Sequence, residues 1–243
     1  MTRASRIILN TFDDLEAPIL CHIAPLFLNI YTIGPLNALV KTQIGDDVVL
    51  QCLSSSSNLL KPDHNCITWL DSQPLRSVVF VSFGSIARVT RGQLLEFWYG
   101  VKGDDMIPAE LEEATKERGF VVDWAPQEDV LAHPAMGGFF THSGWNSVVE
   151  SIDAGVPMIC WPLFGDHQLN SRWVSEGWRI GLEMKDTCDR STIEMMIKTL
   201  RKHRREEIIY SMDQFSKLAH DSVSPSGSSY KNLEKLIEDL RRI

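Results

Sequence analysis

No CxxC pair and no Cys/His ligand spacing occurs in this sequence, although it carries five cysteines, Cys21, Cys52, Cys66, Cys160 and Cys188. Scattered and odd in number, they support neither a zinc site nor a disulfide framework. There is no D-x-D either. The doublets Asp13-Asp14, Asp46-Asp47 and Asp104-Asp105 are adjacent pairs in turn-like stretches. A metal clamped between such carboxylates to hold a diphosphate is therefore not expected. Positive charge is in short supply, with 24 Lys and Arg against 32 Asp and Glu and a net charge of −8. This argues against nucleic acid as the main partner, because a phosphate backbone needs clustered positive charge. The one dense basic run, "RKHRRE" from Arg201, reads as a solvated helix face. No apolar stretch is long enough to span a bilayer. The opening "MTRASRIILNTF" is too short and too soon polar for a signal peptide. A reducing, cytoplasmic setting is the simplest expectation.

What the chain does have is apolar content, 44% of its 243 residues, enough for a sizeable core. "RIILNTF" (Arg6–Phe12) reads as a strand, "DDLEAPILCHIAPLF" as a helix and "NIYTIGPL" (Asn29–Leu36) as a short extended run. Leu39 to Asn65 has no sustained period and many turn formers, and reads as a linker. Beyond it the pattern turns rhythmic. "SVVFVSFGS" (Ser77–Ser85) reads as a strand and "TRGQLLEFWYG" (Thr90–Gly100) as a helix. "GFVVDWAP" (Gly119–Pro126) then reads as a strand and "QEDVLAHP" as a short helix. "MGGFFTHSG", "WNSVVESIDAG", "VPMICWPL" and "DHQLNSRWVSEGW" continue as strand, helix, strand, helix, and everything from Ser191 onward reads as helix. Apolar strands alternating with helices predict an α/β fold, a parallel sheet covered on both faces. No internal repeat interrupts it.

In such sheets ligands sit beyond the carboxyl ends of the strands. Four strand ends carry unusual residues: Ser82–Ser85, Trp124–Gln127, His142–Ser147 and Phe164–Gln168. At His142–Ser147 a helix begins, offering backbone N–H groups and the positive end of its dipole. Gly144 permits close approach, and Asn146 and Ser147 add short polar side chains, so the corner is a candidate pyrophosphate cradle. The same residues also suit an ordinary capped turn. Trp124 could stack on a base or fill the core. Glu150 could reach a ribose or face water. Asp166 could receive sugar hydroxyls or cap its helix.

The stretch "WAPQEDVLAHPAMGGFFTHSGWNSVVESIDAGVPMICWPLFGDH" (Trp124–His167) resembles, without a gap, the donor-binding signature of plant UDP-dependent glycosyltransferases acting on small molecules. The similarity extends upstream through "ITWLDSQPLRSVVFVSFGS" and downstream into the helical tail. The resemblance implies a GT-B architecture. Residues 1–40 would be a remnant of the N-terminal acceptor domain, 41–66 a linker and 67–243 the UDP-sugar-binding domain. It implies that Trp124 stacks on uracil, that Ala125 meets the uracil edge through its backbone, and that Gln127 lies beside the nucleoside. Glu150 would bind the ribose hydroxyls. His142, Asn146 and Ser147 would hold the diphosphate beside Gly144, with Ser85 helping from the first loop. Trp145, Asp166 and His167 would contact the sugar. The implied reaction is an inverting, metal-independent transfer of a hexose from UDP-glucose or UDP-galactose to a small-molecule hydroxyl or carboxyl. No bound cofactor is implied, only the UDP-sugar as co-substrate, and the complete protein is expected to be a monomer.

The chain departs from that pattern in three places. The family's catalytic base is a histidine near the start of the N-terminal domain, and none of the seven histidines here lies in its P-x-x-G-H-x-x-P setting. The catalytic group is thus expected outside this sequence. Between Thr90–Gly100 and Gly119 the family has an apolar strand, whereas "VKGDDMIPAELEEATKERG" offers none. A sheet short of a strand and less stable is expected. His167 stands where glutamine is usual and goes with UDP-galactose in some members, and Ser143 replaces the usual cysteine. The family packs its C-terminal helix against the missing domain, so an exposed apolar face (Leu233, Leu236, Ile237, Leu240) and poor solubility are expected. Two alternatives accompany the enzyme reading: a non-catalytic UDP-sugar-binding or regulatory fragment, and a truncated product without function.

Overall fold

The computed structural model describes residues 6–44, 61–87, 89–102, 119–185 and 188–242. The chain divides into two compact units, one of residues 1–58 with 213–243 and the other of residues 59–212. The C-terminal tail, grouped by sequence with residues 67–212, thus belongs with the opening segment.

In the first unit, β1 (Ile7–Leu9) pairs in parallel with β2 (Ile30–Thr32) across α1 (Asp13–Ile23). α1 contains Pro18 and departs from helical backbone at Glu16, in keeping with its imperfect periodicity. α2 (Leu36–Ile44) follows a Gly34-Pro35 turn. Its Leu39 is fully buried, so the expected linker does not begin at Leu39. Nor does it begin at 41, since α2 runs to Ile44; residues 45–60 lie outside the described residues, and 61–65 at its end are described. Tyr31, Ile33, Ala38 and Leu39 pack with Val223 of α9 (Arg205–Val223) and with Leu236 of α10 (Ser228–Arg241). The expected bare face on α10 is therefore only half bare. Leu236 is in the core and Leu233 against it, while Ile237 and Leu240 are exposed. The Tyr31 hydroxyl donates to Asp239 Oδ2, and Asn232 Nδ2 donates to the Thr32 hydroxyl at 2.8 Å. These bonds give α10 a polar seam beside its apolar one.

The second unit is built on a four-stranded parallel sheet in the order β3-β4-β5-β6: Val78–Ser82, Met136–Thr141, Met158–Cys160 and Gly181–Glu183. Its helices are α3 (Asn65–Asp71), α4 (Arg91–Lys102), α5 (Gln127–Ala132), α6 (Trp145–Asp153), α7 (His167–Arg172) and α8 (Arg190–Lys198). Successive side chains of β4 serve opposite faces. Phe139 stacks on Phe80 at 5.1 Å, while Phe140 meets Phe97 of α4 edge-on at 4.4 Å. Phe140, Ile159, Trp161, Leu182 and Met184 form one core with Ile193 and Ile208. The inner strands β4 and β5 are buried on both faces, as apolar parallel strands require, while β3 is half-buried.

Two sequence expectations fail here. β6 was not foreseen. It is three residues long and starts with a glycine. That glycine lets the strand approach β5, because a Cβ there would lie 2.4 Å from the Met158 carbonyl oxygen. Conversely, Gly119–Pro126 is no strand: residues 119–126 are irregular. In the doubly wound order 3-2-1-4-5-6 the third strand pairs only with the second. The place of that second strand falls in "VKGDDMIPAELEEATKERG", most of which (103–118) lies outside the described residues. Without that neighbour among the described residues Val121 is 75% exposed, and Phe120 rests on Trp69 of α3, ring centroids 6.0 Å apart.

Candidate functional site

Because β3, β4 and β5 run parallel, their carboxyl ends open onto one edge of the sheet. The sharpest corner joins β4 to α6. His142 and Ser143 follow Thr141, and Ser143 adopts the left-handed region at φ 69°, which a residue with a Cβ enters only at a cost. Two bonds hold it there. Its N–H donates to the Thr141 hydroxyl at 3.2 Å, and its carbonyl accepts from Asn170 Nδ2 at 3.0 Å. Gly144 then enters α6 in extended conformation and brings no side-chain cap. The positive end of the helix therefore meets the strand edge with only a glycine in front of it.

The His142 imidazole sits against two glycines. A Cβ added at Gly84 (φ +77°) or at Gly144 would each lie 2.5 Å from its Nε2. From another side the His167 ring meets it edge-on at 4.9 Å, and Phe164 leans on His167 at 4.5 Å. His167 is 6% exposed, and Nδ1 of both histidines is buried with no hydrogen-bond partner among the described residues. Such orphans are uncommon in a fold and call for a ligand or a water to satisfy them. Burial above all, and then the adjoining His167, push the His142 imidazole below its ordinary range. The Ser82 backbone and Asp166 pull the other way. The unfolded chain therefore takes up a proton at this histidine at higher pH than the fold does. The resulting stability is complete above the ordinary histidine pKa of about 6.5 and is lost as pH falls towards the lowered folded value. Between about pH 7.5 and 5.5 the melting temperature of the native chain is expected to fall more than that of His142→Gln. Parallel slopes in thermal melts would contradict this.

A second group lies along α6. Gln127 Nε2, at the start of α5, donates to Glu150 Oε2 at 2.7 Å and to the Ser147 hydroxyl at 3.0 Å. Glu150 is half-buried and held in place, which displaces its reading as a solvated helix residue. The Trp124 carbonyl accepts from the Asp63 N–H at 2.9 Å, and Trp124 and Ala125 are half-buried even though no strand precedes them. Trp145 is rooted on an indole cluster, 6.3 Å from Trp178, which stacks on Trp173. Asn146, Ser85 and Asp166 are exposed. Asp166 stands at the start of α7 but makes no capping bond with its side chain. Its Oδ2 accepts instead from Asn170 Nδ2 at 3.0 Å. Cys160, at the end of β5, is fully buried with its thiol pushed up to about 12 by burial, so it is inert at ordinary pH.

The site residues thus fall into two groups, His142 with Gly144, His167 and the nearby charge of Asp166, and Gln127 with Ser147 and Glu150, and α6 is the element common to both. Asn170 went unnoticed in the sequence. Its signal was its place four residues after Asp166 on a helix, where an amide and a carboxylate meet.

Residues 62–222 match the model of the family described as UDP-glucoronosyl and UDP-glucosyl transferase. This chain belongs to that family. It is 50% identical, over its whole length, to a 7-deoxyloganetic acid glucosyltransferase of Catharanthus roseus, covering 54% of that protein. Among solved structures it is similar to Os79 from O. sativa in complex with UDP (TM-score 0.83, 28% identity, 96% of this chain and 55% of that one). It is also similar to Phytolacca americana UGT2 complexed with UDP-2fluoro-glucose and pterostilbene. For that pair the TM-score is 0.80 and the identity 30%, over 97% of this chain and 53% of the other. The chain spans about half the length of the relatives it matches. The family's fold is GT-B, and the parallel sheets with helices found here accord with it. No helix among the described residues is long and apolar enough to cross a membrane.

Proposed function

We propose that this chain is the donor-binding half of a UDP-glycosyltransferase. Completed by an acceptor-binding half, it would transfer a hexose, glucose first, from a UDP-sugar to a hydroxyl or carboxyl of a small molecule. The observation that carries this reading is the corner itself: an uncapped α6 start beside a neutral, glycine-framed His142 with an orphaned ring nitrogen. Negative charge grows on the departing diphosphate as the acceptor oxygen attacks the anomeric carbon with inversion. Preorganised N–H groups and a helix dipole stabilise that charge without rearranging. The diphosphate meets this positive end, so the reading needs no metal, in keeping with the lack of D-x-D. Trp124 would receive the uracil, and the half-buried Glu150, fixed by Gln127, the ribose hydroxyls. Trp145, Asp166 and His167 would line the sugar. The named relative's glucosyltransferase activity favours glucose, while His167 keeps UDP-galactose as the donor to compare.

Isothermal titration calorimetry with UDP, UDP-glucose and UDP-galactose tests the reading. Saturable binding is expected, weakened at least about tenfold in His142→Ala and in Asn146→Ala, since each removes a bond to a charged group. Absence of heat with UDP, or unchanged affinity in both variants, would end it. A fragment that binds without transferring is the second reading. Adding a separately made acceptor-binding half separates the two, since turnover appears only under the first.

A further inference from the structure

Asn170 does two things at once, and both concern the donor corner. It is 5% exposed and lies within α7. Its Nδ2 donates to the Ser143 carbonyl and to Asp166 Oδ2, each at 3.0 Å. Both partners are acceptors, a carbonyl and a carboxylate, so the amide's orientation is settled by chemistry. One hydrogen secures the left-handed turn from which α6 starts, a conformation that serine keeps only when its surroundings hold it. The other draws one oxygen of an exposed carboxylate into a fixed position and leaves Oδ1 outside the bond.

We infer that Asn170 is a positioning residue that couples the two parts of donor recognition. It holds the anion end of α6 and the sugar-facing carboxylate of Asp166 in one mutual geometry. The inference rests on the donor-site reading above and deepens it. The strut spans the line where diphosphate meets sugar, so its loss would be felt by ligands that cross that line. Ligands that stop at the ribose, in the Trp124–Gln127–Glu150 group, would not feel it. Asn170 itself need not touch the donor.

The test uses the full chain and two ligands, UDP-glucose by calorimetry and uridine by saturation-transfer NMR. Asn170→Ala is expected to weaken UDP-glucose by about tenfold and leave uridine within about twofold, since a charge-assisted bond and a turn anchor are both lost. Asn170→Asp keeps the shape but loses the donor, so it is expected to fail as a rescue. In a double-mutant cycle with Asp166→Ala the two losses should not add. In the native chain, with no substitution, the Asn170 side-chain NH2 resonances should shift with UDP-glucose and not with uridine. Equal loss for both ligands, wild-type affinity in Asn170→Asp, additive losses or unmoved resonances would each overturn the coupling. Failure of the native chain to bind UDP-glucose would overturn the donor site and the coupling together. Binding intact in Asn170→Ala would overturn the coupling alone.

Discussion

Gly144→Ala is expected to weaken UDP binding by about tenfold or more while leaving the fold in place. The backbone there is at φ −61° and ψ 140°, which alanine adopts without strain. The difficulty is spatial. The new Cβ would lie 2.5 Å from His142 Nε2, and the His167 ring, edge-on at 4.9 Å, limits where the imidazole can go. The imidazole and the start of α6 must separate, and the row of N–H groups loses its alignment with the histidine. A misplacement of that size is costly because oriented donors act only at hydrogen-bond distance. Calorimetry with UDP and a thermal melt on the same sample check both halves. A wild-type dissociation constant would show that the imidazole and the helix end do not act together.

Phe140→Ala is expected to lower the stability of the 59–212 unit strongly. Phe140 is 0% exposed on the central strand β4, edge-on to Phe97 at 4.4 Å and within 6.3 Å of Phe83. Removing a fully buried phenyl ring costs about 3–5 kcal/mol, the transfer term plus the cavity left behind. A fall in melting temperature of about 10 °C or more should accompany it. UDP binding should weaken only through the unfolded fraction, because Phe140 points to the core and not to the corner. A shift below about 2 °C would mean that the core relaxes to fill the gap. It would also mean that the four-stranded sheet is held elsewhere.

The turn from β4 into α6 was legible in the sequence because its cause is local. "GGFFTHSGWNSVVES" changes from an apolar run to helical spacing at Ser143-Gly144, and a helix start in that place attracts anions whatever surrounds it. The likeness to UDP-glycosyltransferases across Trp124–His167 was readable for the same reason, since the segment is contiguous. The misreadings were all non-local. "GFVVDW" has the composition of a strand, but a strand exists only with a partner, and here the ladder neighbour is missing among the described residues. β6 carries a weak signal and exists because β5 offers it a ladder and Gly181 lets it come close. The face of α10 looked bare until Tyr31 and Leu39, some two hundred positions upstream, came to meet Leu236.

From the amino-acid order alone came the α/β class, the turn at Ser143-Gly144 where a helix starts, and the family. All of these rest on short-range periodicity and contiguous motif. Tertiary structure alone decided that Gln127 clamps Glu150, that two glycines and a second histidine frame His142, and that Asn170 joins Ser143 to Asp166. Each is a contact between segments brought together by parallel strands ending on one edge. The geometry of such contacts depends on which strands pair, and no local pattern encodes that.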